Sequence, residues 1–187
     1  MKYVLIFLVS AFPFITHANY IKVAGTLGSK TTFEETTMGT STVDMDHKAL
    51  HPLIVALGMS IGPLALEIEG SIRNNEDEAG LGMTMESQHL GLNIAADITG
   101  GKYMVNPYVG GGIVAGLYNL KPADESGFGV AFQVFGGAMF KVTNFFHIGA
   151  EIRHFASIRD TAFEIAGTDI ELKHKQTSYM LTTALHF

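Results

Sequence analysis

Seven charged residues, Lys22, Glu67, Glu69, Arg73, Asp97, Glu151 and Arg153, are the first group in this chain that could do chemistry. Glu67 and Glu69 are two apart, as are Glu151 and Arg153, a spacing that places each pair on one face of a β-strand. Charges turned into a confined interior must pair or hold water, because burying an unpaired charge is costly. Such a set either fills a core as a fixed ion-pair network or acts as a gate whose pairs part to pass small ions. A second constellation is His154 with Ser157 and Glu164, the residue types of a base, a nucleophile and a carboxylate. On a continuing strand Ser157 falls on the face opposite His154, so the two do not come within hydrogen-bond reach. Six other histidines (His47, His51, His89, His147, His174 and His186) form no set with ligand spacing on one clear face. The sequence has no phosphate-cradling glycine loop, nucleophile elbow or metalloprotease motif, so neither cofactor nor metal is expected.

The elements that must position these residues are strands. Leu64, Leu66, Ile68, Gly70 and Ile72 alternate with Ala65, Glu67, Glu69, Ser71 and Arg73. The same period of two recurs with Leu90, Leu92, Ile94, Ala96 and Ile98, and again with Phe146, Ile148, Ala150 and Ile152. A helix cannot separate those sets, because positions i and i+2 share a side only in a strand. Further strands are expected over residues 20–28, 50–59, 107–117, 128–140 and 174–187, which brings the number to eight. Residues 49–66 have the length of a membrane helix, but Pro52, Pro63, Gly58 and Gly62 argue for two short strands joined at residues 60–63.

The connections alternate in length. Short turns are expected at residues 60–63, 99–105 and 141–145, and long polar loops at 29–48, 74–87, 119–127 and 156–173. Transmembrane barrels have short periplasmic turns and longer external loops. One face of each strand is apolar, while the other carries glycine, alanine and ionisable groups, the reverse of a soluble ligand-carrying barrel. The fold expected is therefore all-β: an eight-stranded antiparallel up-and-down transmembrane β-barrel. Both termini should lie on the periplasmic side.

Composition agrees with an exported membrane protein. Residues 1–18 read as a cleaved signal peptide: Lys2 opens it, an apolar run too short to span a bilayer follows, and Thr16, His17 and Ala18 close it. The barrel domain is then residues 19–187. The 187-residue chain contains no cysteine, so its stability must come from hydrogen bonding and burial. Its formal net charge of −6 gives it no electrostatic attraction for nucleic acid.

Specific motifs carry a resemblance. Asn106-Pro-Tyr-Val-Gly-Gly-Gly112 resembles the "PYVGxG" strand of small outer-membrane barrels of the OmpA-like and opacity-protein type. Phe132-Gln-Val-Phe-Gly-Gly137, followed by Lys141-Val-Thr-Asn144, resembles their next strand and its turn. Gly149-Ala-Glu-Ile-Arg-His-Phe155 is similar to their "GAEYRYF" strand. Tyr179, Leu181, Leu185 and the terminal Phe187 are similar to the carboxy-terminal signature read by the barrel-assembly machinery, with Thr183 departing from the alternation. The resemblance covers residues 106–187 by motif and the amino-terminal half by pattern alone.

It implies an integral protein of the bacterial outer membrane, in contact with outer-membrane lipid, lipopolysaccharide and the barrel-assembly machinery. The function expected is non-enzymatic: a structural, adhesion or antigen-type role, with a host or surface ligand met by four external loops. A narrow or gated pore is the alternative. Lipid A deacylase barrels share the architecture and use an outward His with a Ser two residues later, where this chain has Ala156. An enzyme of that kind is not expected.

Overall fold

The computed structural model describes residues 18–37, 41–77, 84–121, 125–158, 161–165 and 168–187. The expected leader, residues 1–18, lies outside the described residues except for Ala18. Among the described residues the chain forms β1 (Tyr20–Thr37), β2 (Ser41–Ile61), β3 (Leu64–Asp77), β4 (Thr84–Asp97), β5 (Val105–Lys121), β6 (Glu125–Lys141), β7 (Phe146–Ser157), β8 (Thr161–Ile165) and β9 (Thr168–His186). Each strand from β1 to β7 pairs antiparallel with the next, β7 pairs with β9, and β9 pairs with β1 to close an eight-stranded barrel. The short β8 is not a stave of the wall. It folds back on β9, with Ile165 opposite Thr168.

Closure is set by the ends of the chain. Tyr20 lies opposite His186, and the Phe187 amide donates to the Asn19 carbonyl at 3.0 Å. Both ends of the wall therefore sit on the rim that also carries the short turns, called here the terminal rim. Those turns fall where expected. β2 and β3 join through Gly62 and Pro63, with Gly62 at φ 62°, a backbone conformation that glycine adopts without strain. Residues 49–66 thus lie in two strands, and no helix of the described residues is long and apolar enough to cross a membrane.

The far rim corrects the expectation of four long loops. Most of the described residues in 29–48, 74–87, 119–127 and 156–173 continue the strands, and the ladder runs up to pairs such as Thr37 opposite Ser41 and Leu120 opposite Glu125. Polarity had marked these segments as loops, but threonine and serine suit a solvated ladder as well as they suit a loop. β1 has 18 residues, β2 21 and β9 19, whereas about 9–11 suffice to cross a bilayer. The wall therefore rises well past any hydrocarbon.

Two irregularities reset the alternation. In β1 the register shifts between Thr26 and Gly28, leaving Leu27 as an extra, exposed residue. Below this bulge Lys22 and Ala24 point inward; above it the inward position is Thr31. In β2 the shift falls between Leu50 and Leu53, so His51 and Pro52 together face Arg73 across the ladder. A bulge is one of the few places where a strand tolerates proline, which has no N–H to donate.

The outward residues form a continuous apolar belt that includes Leu66, Ile72, Leu90, Leu92, Ile94, Ile113, Phe132, Val134, Ile152, Tyr179 and Leu181. Near the terminal rim Tyr103, Phe140, Phe145 and Phe187 are exposed, an aromatic edge made without tryptophan. Leu92, 64% exposed on β4, should tolerate charge poorly if lipid covers it. Replacing it with arginine is expected to lower the unfolding free energy in lipid vesicles by about 2–4 kcal/mol. Urea titration followed by tryptic protection measures this, and an unchanged midpoint would mean that water covers this face.

Candidate functional site

The inward face is built from the alternate residues of the same strands. β3 turns Glu67, Glu69, Ser71 and Arg73 into the lumen, β7 contributes Glu151, Arg153 and Phe155, and β1 contributes Tyr20 and Lys22. Lys22, Arg73 and Arg153 stand there with Glu67, Glu69 and Glu151, three cations with three carboxylates, none more than 4% exposed. The sum of formal charge among these six is zero.

The charges are linked in series. The Lys22 ammonium lies 2.7 Å from Glu67 Oε1 and 3.7 Å from Glu151 Oε2. Arg153 donates from Nε to Glu151 Oε1 at 2.8 Å and from Nη1 to Glu69. Neutral donors take up further carboxylate oxygens. The Tyr20 hydroxyl donates to Glu67 at 2.7 Å, the Tyr108 hydroxyl to Glu151 at 2.8 Å, and the Asn93 amide to Glu69 at 2.8 Å. Gln133 joins the same group, donating to Asn93 Oδ1 at 2.7 Å and accepting from Arg153 at 3.2 Å. The Phe135 ring packs between the two cations, with Lys22 Nζ 5.0 Å and Arg153 Cζ 4.6 Å from its centroid. A Cβ at Gly110 would lie 2.5 Å from that ring, so glycine there is what makes room for it.

Arg73 stands one tier higher and has no carboxylate within ion-pair distance among the described residues. Its Nη1 donates to Gln176 at 3.0 Å, and its guanidinium lies 4.2 Å from the Phe155 centroid. Four rings fill the lumen beside it. His89 meets Tyr118 and Phe155 edge-on at 5.3 Å each, and His174 lies 5.0 Å from Phe155 and 6.2 Å from Tyr118. With Ile54, Met180 and Val114 also buried, the middle of the barrel is packed with side chains. An eight-stranded barrel has an interior only wide enough for that.

Asp97, grouped by sequence with the lumen charges, is placed apart from the chain of ion pairs. It lies half-buried at the terminal rim, where its Oδ1 accepts from the Thr99 amide and the Thr99 hydroxyl at 2.8 Å each. It thereby caps the turn that follows β4. The other six lie within the lumen. Sequence reasoning did not single out Tyr20, Asn93, Tyr108, Gln133, Phe135, Phe155 or Gln176 as parts of this site. Their inward parity was legible for most of them, but side chains without charge drew no attention.

The His154 constellation is split by the wall. The His154 Nδ1 lies 3.0 Å from the Thr177 hydroxyl, while Ser157 is buried inside, where it accepts from the His174 amide at 3.1 Å. The side chain of Glu164 lies outside the described residues. No group of three His, Asp or Glu side chains able to hold a metal occurs among the described residues. Tyr179, Leu181, Leu185 and Phe187 all point outward from β9 or its end.

No protein-family model matches the chain, and no curated protein matches it in sequence. Solved structures do. Neisserial surface protein A (NspA) superposes with a TM-score of 0.58 and 13% identity, over 89% of this chain and 97% of its own. The N-terminal β-barrel domain of Pseudomonas aeruginosa OprF matches with a TM-score of 0.48 and 11% identity, over 91% of this chain and 98% of its own. The chain has the fold of the small eight-stranded outer-membrane β-barrels. The resemblance read from its motifs holds at the level of fold.

The network can be probed one partner at a time. Arg153→Ala leaves Glu69 buried without its cation and Glu151 with only the more distant Lys22, and about 3–5 kcal/mol of stability should be lost. Lys121→Ala breaks an exposed pair with Glu86 and should cost less than about 1 kcal/mol. Denaturant titration of the folded barrel compares the two, and equal effects would contradict a buried network.

Proposed function

We propose that the protein is an integral, non-enzymatic barrel of the bacterial outer membrane that displays its far rim at the cell surface, in a structural, adhesion or antigen-type role. The observation that carries this reading is the contrast between the two ends of the wall. The terminal rim is trimmed to short turns, while strands of up to 21 residues extend the other end far beyond a bilayer's need. A lipid A deacylase-type site would require a base and a nucleophile on the same side, and His154 and Ser157 are on opposite sides. Conduction would require an open path, and the lumen is blocked by its ion pairs and rings.

In this reading the terminal rim faces the periplasm, the apolar belt meets outer-membrane lipid and the lipid portion of lipopolysaccharide, and residues 1–18 are removed during export. The outward side chains Tyr179, Leu181, Leu185 and Phe187 serve as the assembly signal. The partner at the surface is a ligand or host molecule met by the far rim. NspA, which shares the fold, bears the name of a surface protein.

An epitope inserted within residues 122–124 should be labelled by antibody on intact cells. The same epitope at Thr143 should be labelled only after the outer membrane is opened. Labelling in the reverse pattern would invert the topology. In planar bilayers the purified barrel should conduct little or only in brief events. A steady, large conductance would replace this reading with transport.

A further inference from the structure

The lumen is filled in its middle but not at its terminal-rim mouth, where a cavity of about 350 Å³ opens. That volume falls within the range of small-molecule sites. We propose that this mouth binds the phosphate group of a small solute, a role beyond the surface reading above and dependent on that reading only for the side from which the solute arrives.

Three basic side chains line one wall of the cavity in sequence around the barrel. Lys141 of β6 is the register partner of His147 of β7, and the His147 ring lies 4.3 Å, centroid to centroid, from that of His186 on β9. Tyr20 continues the row, its ring 5.2 Å from His186. Among the described residues the Nε2 of His147 is buried without a hydrogen-bond partner, and Lys141 has no ion-pair partner. The amide-bearing Asn144 lies on the same side of the opening.

Of the other charges facing the cavity, Lys22 of β1 and Glu67 of β3 are paired with each other. The Asp97 carboxylate of β4 accepts from the Thr99 turn and keeps its charge, two strands away from Lys141 around the wall. The side from β6 to β9 carries an ammonium flanked by two imidazoles, a donor-rich edge that suits a tetrahedral oxyanion. The cavity exceeds the volume of a bare phosphate. Its opposite side, with Pro63 and Ala65, offers an apolar surface for the rest of a monoester.

An oxyanion held among these groups favours the protonated imidazoles, so binding should take up protons and tighten as pH falls. Sulfate tests this without changing its own charge over the range used. In phospholipid-free detergent, calorimetry with inorganic phosphate and with glycerol phosphate should show saturable binding, with a dissociation constant on the order of 1 mM. Sulfate should bind several-fold tighter at about pH 5.5 than at about pH 7.5. Lys141→Met and His147→Phe should each weaken binding about tenfold. Lys121→Met at the other rim should leave it unchanged, and each variant's folding is checked by its heat-shifted gel mobility.

Absence of binding by the folded wild type, or binding indifferent to Lys141 and His147, would overturn the site. So would binding of a short-chain phosphatidic acid with no binding of the soluble probes, since the ligand would then be a lipid headgroup. Reversed epitope labelling on cells would change the face from which the solute enters and leave these titrations unaffected.

Discussion

Hydrocarbon offers no hydrogen-bond partner, so every backbone N–H and C=O of a chain that crosses it must be satisfied by the chain itself. In this protein the pairing of β1 with β9 meets that demand. Without that ladder both strands would be open edges in lipid, and the apolar belt would surround an unfinished sheet. Once the ladder closes, the period of two does the rest: one set of side chains faces outward in the apolar belt and the other is enclosed. Burial of the charged residues is a consequence of closure.

Closure also sets the terms for the interior. Six charges shut inside a narrow cylinder would be prohibitively costly alone, and the chain meets the cost through charge balance, tyrosine and amide donors, and aromatic rings set against the cations. Two tiers result. In the lower tier Lys22 and Arg153 share Glu67, Glu69 and Glu151; in the upper tier Arg73 rests on Phe155 and Gln176. Phe135 is the hinge of the lower tier, because one ring supports both cations and depends on Gly110 for its space.

The same packing separates the two ends of the barrel. A filled middle stands between the extended far rim and the cavity at the terminal rim. The fold is shared with NspA at 13% identity. A barrel of this kind constrains its wall and its enclosed charge, and leaves the chemistry of both rims open to variation.

Much of this was legible in the residues. Alternation of apolar and polar positions from Leu64 to Arg73 specified a strand, its two faces, and the enclosure of Glu67, Glu69 and Arg73, because side-chain direction in a strand follows parity alone. The short turns were legible for a similar reason: Gly62 with Pro63 is a local conformational constraint. Three things were not. Polar composition at residues 29–48 could not distinguish a loop from a solvated ladder, since β1 there pairs with β2 on one side and with the distant β9 on the other. The bulge at Leu27 reversed parity within β1, and no local residue type announces it. Which carboxylate meets which cation depended on angular position around the closed wall. Lys22 lies 45 positions from Glu67, and Arg153 lies 84 positions from Glu69. Parity says only that such residues are inside, and distances across a lumen exist only once the barrel has closed.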